Sequence, residues 1–204
     1  MPGRATLQEP YASALDEAVD YLRERYEPVA VVASGSVVRG TGHTGSDLDI
    51  VVIHEPPWRQ RIQHVINGVP WEAFVNPEFQ IRRQMEKDAR AGRPVMAHML
   101  DTGIIVLDTD GIAGKLVADA HTCLAAGPQV DPASLNFRRY GIATQFEDAV
   151  DLAVVDGDRS RTLLIEALVA GMKWWSLANG RWLPRDKDLF ADLDRREPDL
   201  GMRI

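Results

Sequence analysis

The stretch "SGSVVRGTGHTGSDLDIVVI", residues 34–53, constrains this chain more than any other. A Gly-Ser pair follows the apolar run "VAVVA" (29–33). After a glycine-rich loop, two aspartates one residue apart open a second apolar run, "DLDIVVI" (47–53). Both runs are continuously apolar, rich in β-branched residues and bounded by glycine or proline, the pattern of short buried strands. Residues two apart in a strand point to the same side, so Asp47 and Asp49 project together while Leu48 faces the other way. Paired like charges repel, and both stay ionised near neutral pH only with a strong positive charge between them. Magnesium suits such a pair, because it takes one or two carboxylates and completes its shell with water and phosphate oxygens. The plainer reading of the same residues is an Asx-type turn entering a core strand.

The residues just upstream supply a complementary part. Gly35-Ser36 leaves the first strand and opens a short helix, "SVVRG", whose free N–H groups suit a phosphate. Glycine lets the backbone approach closely. Ser36 adds a hydroxyl donor. Arg39, one turn on, reaches either a phosphate or a strand carboxylate, and reads equally well as a surface ion-pair residue. Ser46, next to the acids, is a further candidate nucleotide contact. A third carboxylate is expected at a site with two metal ions. Glu72 is the best placed, in the middle of "VPWEAFV", where alternation puts Pro70, Glu72 and Phe74 on one side and Val69, Trp71, Ala73 and Val75 on the other. An unpaired buried acid is costly, so packing does not explain it. Beside Asp49 it would bind metal and accept the proton of an attacking hydroxyl.

The rest of the chain sets these residues in an α+β frame. Leu15, Val19, Leu22 and Tyr26 form the apolar stripe of a helix over 11–26, closed by Pro28. "RIQHVI" and "VPWEAFV" flank Asn67-Gly68, whose residues accept the positive φ of a two-residue hairpin turn. Asn76-Pro77-Glu78 starts a helix that runs to about Ala91 and stops at Gly92. "GIIVL" (103–107) is a further strand, followed by a helix carrying Ile112, Leu116, Val117, Ala120 and Leu124 on one face. Gly127-Pro128 is the best boundary. Beyond it the sequence predicts helices over 132–155, 159–179 and about 185–195, and no strand. The expected organisation is a catalytic domain over 1–127, a mixed β-sheet flanked by helices, and a C-terminal helical bundle over 128–204. There is no internal repeat and no low-complexity segment.

Composition narrows the function. A formal net charge of -7 over 204 residues gives no electrostatic footprint for a long nucleic acid. A small-molecule substrate fits better. No stretch is long and apolar enough to span a membrane and the N-terminus carries no secretory pattern, so the cytoplasm is the expected location. A single cysteine, Cys123, excludes an internal disulfide and thiolate-rich metal sites. His43, His54, His64, His98 and His121 show no metal-ligand spacing. Lys173 and Lys187 are candidates to reach a triphosphate from the helical part, against the plainer reading of solvated lysines. Trp174, Trp175 and Trp182 are candidates for an acceptor pocket, a core or a homodimer interface.

Gly-Ser, a spacer of this length and Asp-x-Asp opening an apolar strand recur by chance in roughly a few per cent of chains this long. The context therefore carries the weight: the glycine follows a strand, the acids open another, and a third acid lies mid-strand. "GSVVRGTGHTGSDLDIVV" resembles the signature of the polymerase-β-like nucleotidyltransferase superfamily, with Glu72 matching its third acid. "GVPWEAFV", and "GIIVLDTDG" leading into a helix, are similar to the bacterial small-substrate branch that includes the aminoglycoside nucleotidyltransferases. "GRWLPRDKDLFADLDRREPDL" resembles the C-terminal helices of other members. The resemblance implies transfer of a nucleoside monophosphate, with ATP the expected donor, to an acceptor hydroxyl, releasing pyrophosphate. It also implies two magnesium ions held by Asp47, Asp49 and, for one of them, Glu72. Gly35, Ser36, Arg39, Ser46 and Lys187 would contact the nucleotide. The competing expectation is a nucleotide-binding regulatory or antitoxin-like module that acts through a protein partner.

Overall fold

The structure is a computed structural model and describes residues 7–198. Contacts divide these residues into two compact units, 7–87 with 95–126, and 88–94 with 127–198. In the first unit, α1 (Tyr11–Tyr26) buries the predicted stripe of Leu15, Val19, Leu22 and Tyr26 and ends at Glu27 in a left-handed conformation, φ 46°. β1 (Ala30–Ser34) leads into a single helical turn, α2 (Gly35–Val38). Strand β2 (Leu48–Ile53) follows the glycine-rich loop. The hairpin of β3 (Gln60–Ile66) and β4 (Val69–Asn76) turns at Asn67 and Gly68, with φ of 52° and 78°. After it come α3 (Glu78–Ala91), α4 (Val95–Asp101), β5 (Ile104–Asp108) and α5 (Ile112–Ala126).

The sheet order is β3-β4-β2-β1-β5. β2 and β4 run parallel, and the other neighbours are antiparallel. Alternation along each strand sorts the side chains between two apolar layers. On one face, α1 packs through Leu15, Val19 and Leu22 onto Val31, Ile50, Val52, Trp71 and Val75. On the other, Val32, Val51 and Ile53 lie under Ile81 and Met85 of α3, Met96 and Leu100 of α4, and Leu116 of α5. The sequence reading lacks α4. Its seven residues are too few to show a helical period, yet Met96, Ala97, Met99 and Leu100 are buried.

The second unit is helical. α6 (Pro132–Leu152) starts at Asp131, whose carboxylate accepts the Ser134 N–H, and α7 (Gly157–Ala178) starts at Asp156, which caps the Arg159 N–H in the same way. The expected break at "DGD" is therefore an N-cap. A 3-10 turn at Asp186–Asp188 precedes α8 (Leu189–Arg196). Residues 88–94 belong here because Gly92, at φ 81°, lies against Leu177, and its carbonyl accepts the Leu183 N–H at 2.8 Å. No helix among the described residues is long and apolar enough to cross a membrane.

Leu22 is fully buried at the centre of the α1 contact with the sheet. Leu22→Ala removes that contact and leaves a cavity, with an expected loss of about 2–5 kcal/mol. Urea unfolding followed by circular dichroism measures it as a fall in midpoint with an unchanged slope.

Candidate active site

Strand register builds one polar row on the face shared with α3, α4 and α5. Ser34 pairs with Asp49, Asp49 with Glu72, and Glu72 with Gln63, across β1, β2, β4 and β3 in turn. Directly paired residues point to the same side of a sheet, so these four side chains stand together. The next row on that face is Val32, Val51 and Phe74, packed in the apolar layer. The polar row thus lies at one end of the face, where the apolar cover stops. Ser34 is fully buried, with no hydrogen-bond partner for its hydroxyl among the described residues. Glu72 is 7% exposed, Asp49 is half-buried and Asp47, just before β2, is exposed.

The loop and α2 complete the setting. Gly35 sits at φ 95°, and a Cβ added there would lie 2.6 Å from Asp49 Oδ2. Only glycine allows both that backbone conformation and that approach. The helix after it is one turn, so it offers little dipole to a phosphate. Its contribution is placement: the Ser36 carbonyl accepts the Thr41 N–H at 2.9 Å, and the Ser36 hydroxyl makes no hydrogen bond among the described residues. Ser46, expected to contact nucleotide, closes the loop on itself. It is 6% exposed, its hydroxyl accepts the His43 N–H at 2.9 Å, and its own N–H donates to the His43 carbonyl at 2.8 Å, pinning the loop just before Asp47.

Glu72 is placed beside Asp49 as expected but is not free. Arg61 grips both of its oxygens, Nε on Oε1 and Nη2 at 2.9 Å from Oε2, and Gln63 Nε2 donates to Oε1 at 3.3 Å. A buried carboxylate is stable only when paired, and a bidentate arginine provides the strongest such pairing. Among the described residues, no group of three acids, histidines or cysteines is gathered as a metal cluster. The expected triad is therefore not assembled; Glu72 is held on the arginine.

Asp47 and Asp49 behave differently. Neither accepts a hydrogen bond among the described residues. Burial and the Asp47 charge hold the Asp49 carboxyl above the usual carboxylate range, against the opposing pull of Arg39 and Arg61. Two neighbouring hard oxygen donors, one of them partly desolvated and cleared by a missing Cβ, fit a divalent cation such as magnesium. Arg39 is half-buried at the end of α2, close enough to act on Asp49 electrostatically. Lys187 lies exposed in the 3-10 turn of the helical unit, and Lys173 of the same unit is tied to Asp186 at 2.7 Å. Trp174 and Trp175 serve that unit's packing: the indole N–H of Trp174 donates to the Leu135 carbonyl at 3.0 Å, and the Arg181 guanidinium lies 4.7 Å from the Trp175 ring centre.

The sequence reading missed Arg61, Gln63 and Ser34. The hairpin held the signal for the first two. A two-residue turn at Asn67-Gly68 pairs Ile66 with Val69, which counts back to Gln63 opposite Glu72 and Arg61 one diagonal step away. No such rule fixes Ser34, because a loop of this length leaves the register of β1 and β2 open.

Residues 15–92, which hold the whole row together with Gly35, Ser36 and Asp47, match the family model described as a nucleotidyltransferase domain. A crystal structure of a nucleotidyltransferase-like protein from Exiguobacterium sibiricum 255-15 is similar to this chain, with a TM-score of 0.55 and 12% identity. The likeness covers 93% of this chain and 64% of that one, and at this identity it is a likeness of fold. A search among curated proteins finds no match. Residues 15–92, the part of the chain that builds the polar row, are thus similar to a nucleotidyltransferase domain.

The raised Asp49 pKa carries a sign for stability. In metal-free buffer the folded state holds its proton more tightly than the unfolded chain, so stability is full below the ordinary value of 3.8 and falls as pH rises through the folded value. Asp49→Asn is therefore expected to raise the urea midpoint at pH 7 in the presence of a chelator, with the gain vanishing below the ordinary carboxylate range. Parallel urea titrations of the two proteins across pH check this.

Proposed function

We propose that this chain transfers a nucleoside monophosphate from a nucleoside triphosphate to a hydroxyl group of a small molecule, releasing pyrophosphate. The observation that carries the reading is the level register of Asp49 and Glu72 on parallel strands, with Gly35 against Asp49, inside the segment matched as a nucleotidyltransferase domain. In the reaction the acceptor oxygen forms a bond to the α-phosphorus, the bond from that phosphorus to the bridging oxygen breaks, and pyrophosphate leaves with the electron pair. Such chemistry needs positioning and charge neutralisation more than covalent help from the protein.

Asp47 and Asp49 are the residues that would hold divalent metal, with Glu72 the expected third ligand of one of two magnesium ions. When bound, the metal neutralises the phosphates and makes the acceptor oxygen more acidic. Gly35 leaves room for the triphosphate beside Asp49, the Ser36 hydroxyl is available to donate to it, and Arg39 adds positive charge at the same end of the sheet. Glu72 is the expected acceptor of the hydroxyl proton. ATP is the donor suggested by the resemblance to the aminoglycoside-type branch. The net charge of -7 supports a small acceptor over a polynucleotide, and the single cysteine agrees with a cytoplasmic site of action.

The test is magnesium-dependent pyrophosphate release from a panel of nucleoside triphosphates, with aminocyclitols and other polyhydroxylated small molecules as acceptors. Asp47→Asn and Asp49→Asn should each lower the rate by at least about 100-fold, more than the loss of a residue that merely supports a metal ligand. Full metal-dependent turnover in either variant would overturn the proposal.

A further inference from the structure

Glu72 has little water to solvate its charge, with a side chain only 9% exposed, and its neighbour in the row is another acid, Asp49. Its counter-charge comes from the sheet edge. Arg61 stands on β3, the outermost strand, and reaches diagonally across the hairpin to both Glu72 oxygens while its guanidinium rests 5.5 Å from the Phe74 ring centre. The two halves of this pair differ in freedom. Glu72 is fixed in a strand with neighbours on both sides, whereas the Arg61 side chain is 64% exposed on an edge. The arginine is the half that leaves at least cost, since water replaces its partner.

A guanidinium and a divalent cation use the same carboxylate oxygens and repel each other. Glu72 therefore serves one or the other. We propose that Arg61 is a positioning residue that holds Glu72 while metal is absent and must release it before Glu72 joins Asp47 and Asp49, so that the arginine competes with divalent metal. The idea rests on the metal-binding reading above and adds to it a built-in competitor. In the absence of metal, Arg61 keeps a third negative charge from standing unpaired beside two others. The same pairing lowers apparent metal affinity by the fraction of molecules in which Glu72 is released.

The experiment is calorimetric titration of the full chain with Mn²⁺, without nucleotide. Arg61→Gln removes the competing charge and should bind Mn²⁺ about tenfold more tightly, the scale of one partly exposed ion pair. Arg61→Lys keeps the charge but loses the two-pronged grip, and should fall between that variant and the parent. Should Arg61→Gln fail to fold, Arg61→Lys alone still gives the tighter binding. In a Glu72→Gln background the Arg61→Gln gain should shrink to the small part that comes from the Arg61 charge acting on Asp49, a coupling to Glu72 that a merely structural arginine would not produce. Unchanged or weaker binding by the Arg61 variants, or an equal gain in the Glu72→Gln background, would overturn the proposal. Asp49→Asn separates the two claims. If it abolishes Mn²⁺ binding while the Arg61 variants match the parent, only the competition is wrong; if it binds Mn²⁺ like the parent, the metal-site reading falls and the competition with it.

Discussion

The parallel pairing of β2 with β4 brings Asp49 level with Glu72, and the chemistry proposed for this chain depends on that register. A slip of one residue would send each acid to the opposite face, under α1. The apolar residues of the same strands hold the register. Ile50, Val52, Ala73 and Val75 are buried beneath α1, and Val51 and Ile53 beneath the helices on the other side, so the core fixes where the acids stand. The loop before β2 adds a second constraint, since Ser46 and His43 close it with two hydrogen bonds just ahead of Asp47.

Charge explains the rest of the site's form. Three carboxylates near one end of a sheet need positive charge, and the fold meets that need unevenly. Glu72, the most buried, takes a bidentate arginine; Asp49 feels Arg39 and Arg61 only at a distance and keeps a raised pKa; Asp47 is exposed. The acids left without hydrogen bonds are those the sequence motif places in an Asp-x-Asp, and the glycine that clears Asp49 belongs to the other half of that motif. Two aspartates that repel each other are unfavourable by themselves, and the divalent cation of the proposed reaction would offset that repulsion.

Much of this was legible in the sequence, for physical reasons that differ by element. The strands holding Val31 and Val51 were readable because continuous apolar runs between turn residues have few alternatives, and the hairpin because Asn67-Gly68 tolerates positive φ. The pairing of Asp47 with Asp49 followed from the two-residue period of a strand. Glu72 was legible as an anomaly, an acid where packing wants none. Its partner is legible too, because the turn at Asn67-Gly68 fixes Arg61 diagonally across from it. α4 escapes because seven residues carry no period, and the loop closure by Ser46 escapes because sequence proximity to the acids says nothing about which way a loop hydroxyl turns. The helices of the second unit were visible from their pattern, but the capping role of Asp156 was hidden in what looked like a plain turn.

The most direct measurement is a crystal structure grown with Mn²⁺ and a non-hydrolysable ATP analogue, with anomalous scattering used to locate the metal. The account predicts an anomalous peak in contact with the carboxylates of both Asp47 and Asp49, with the triphosphate beside Gly35 and Ser36. Metal bound elsewhere, with neither aspartate among its ligands while nucleotide is present, would contradict it.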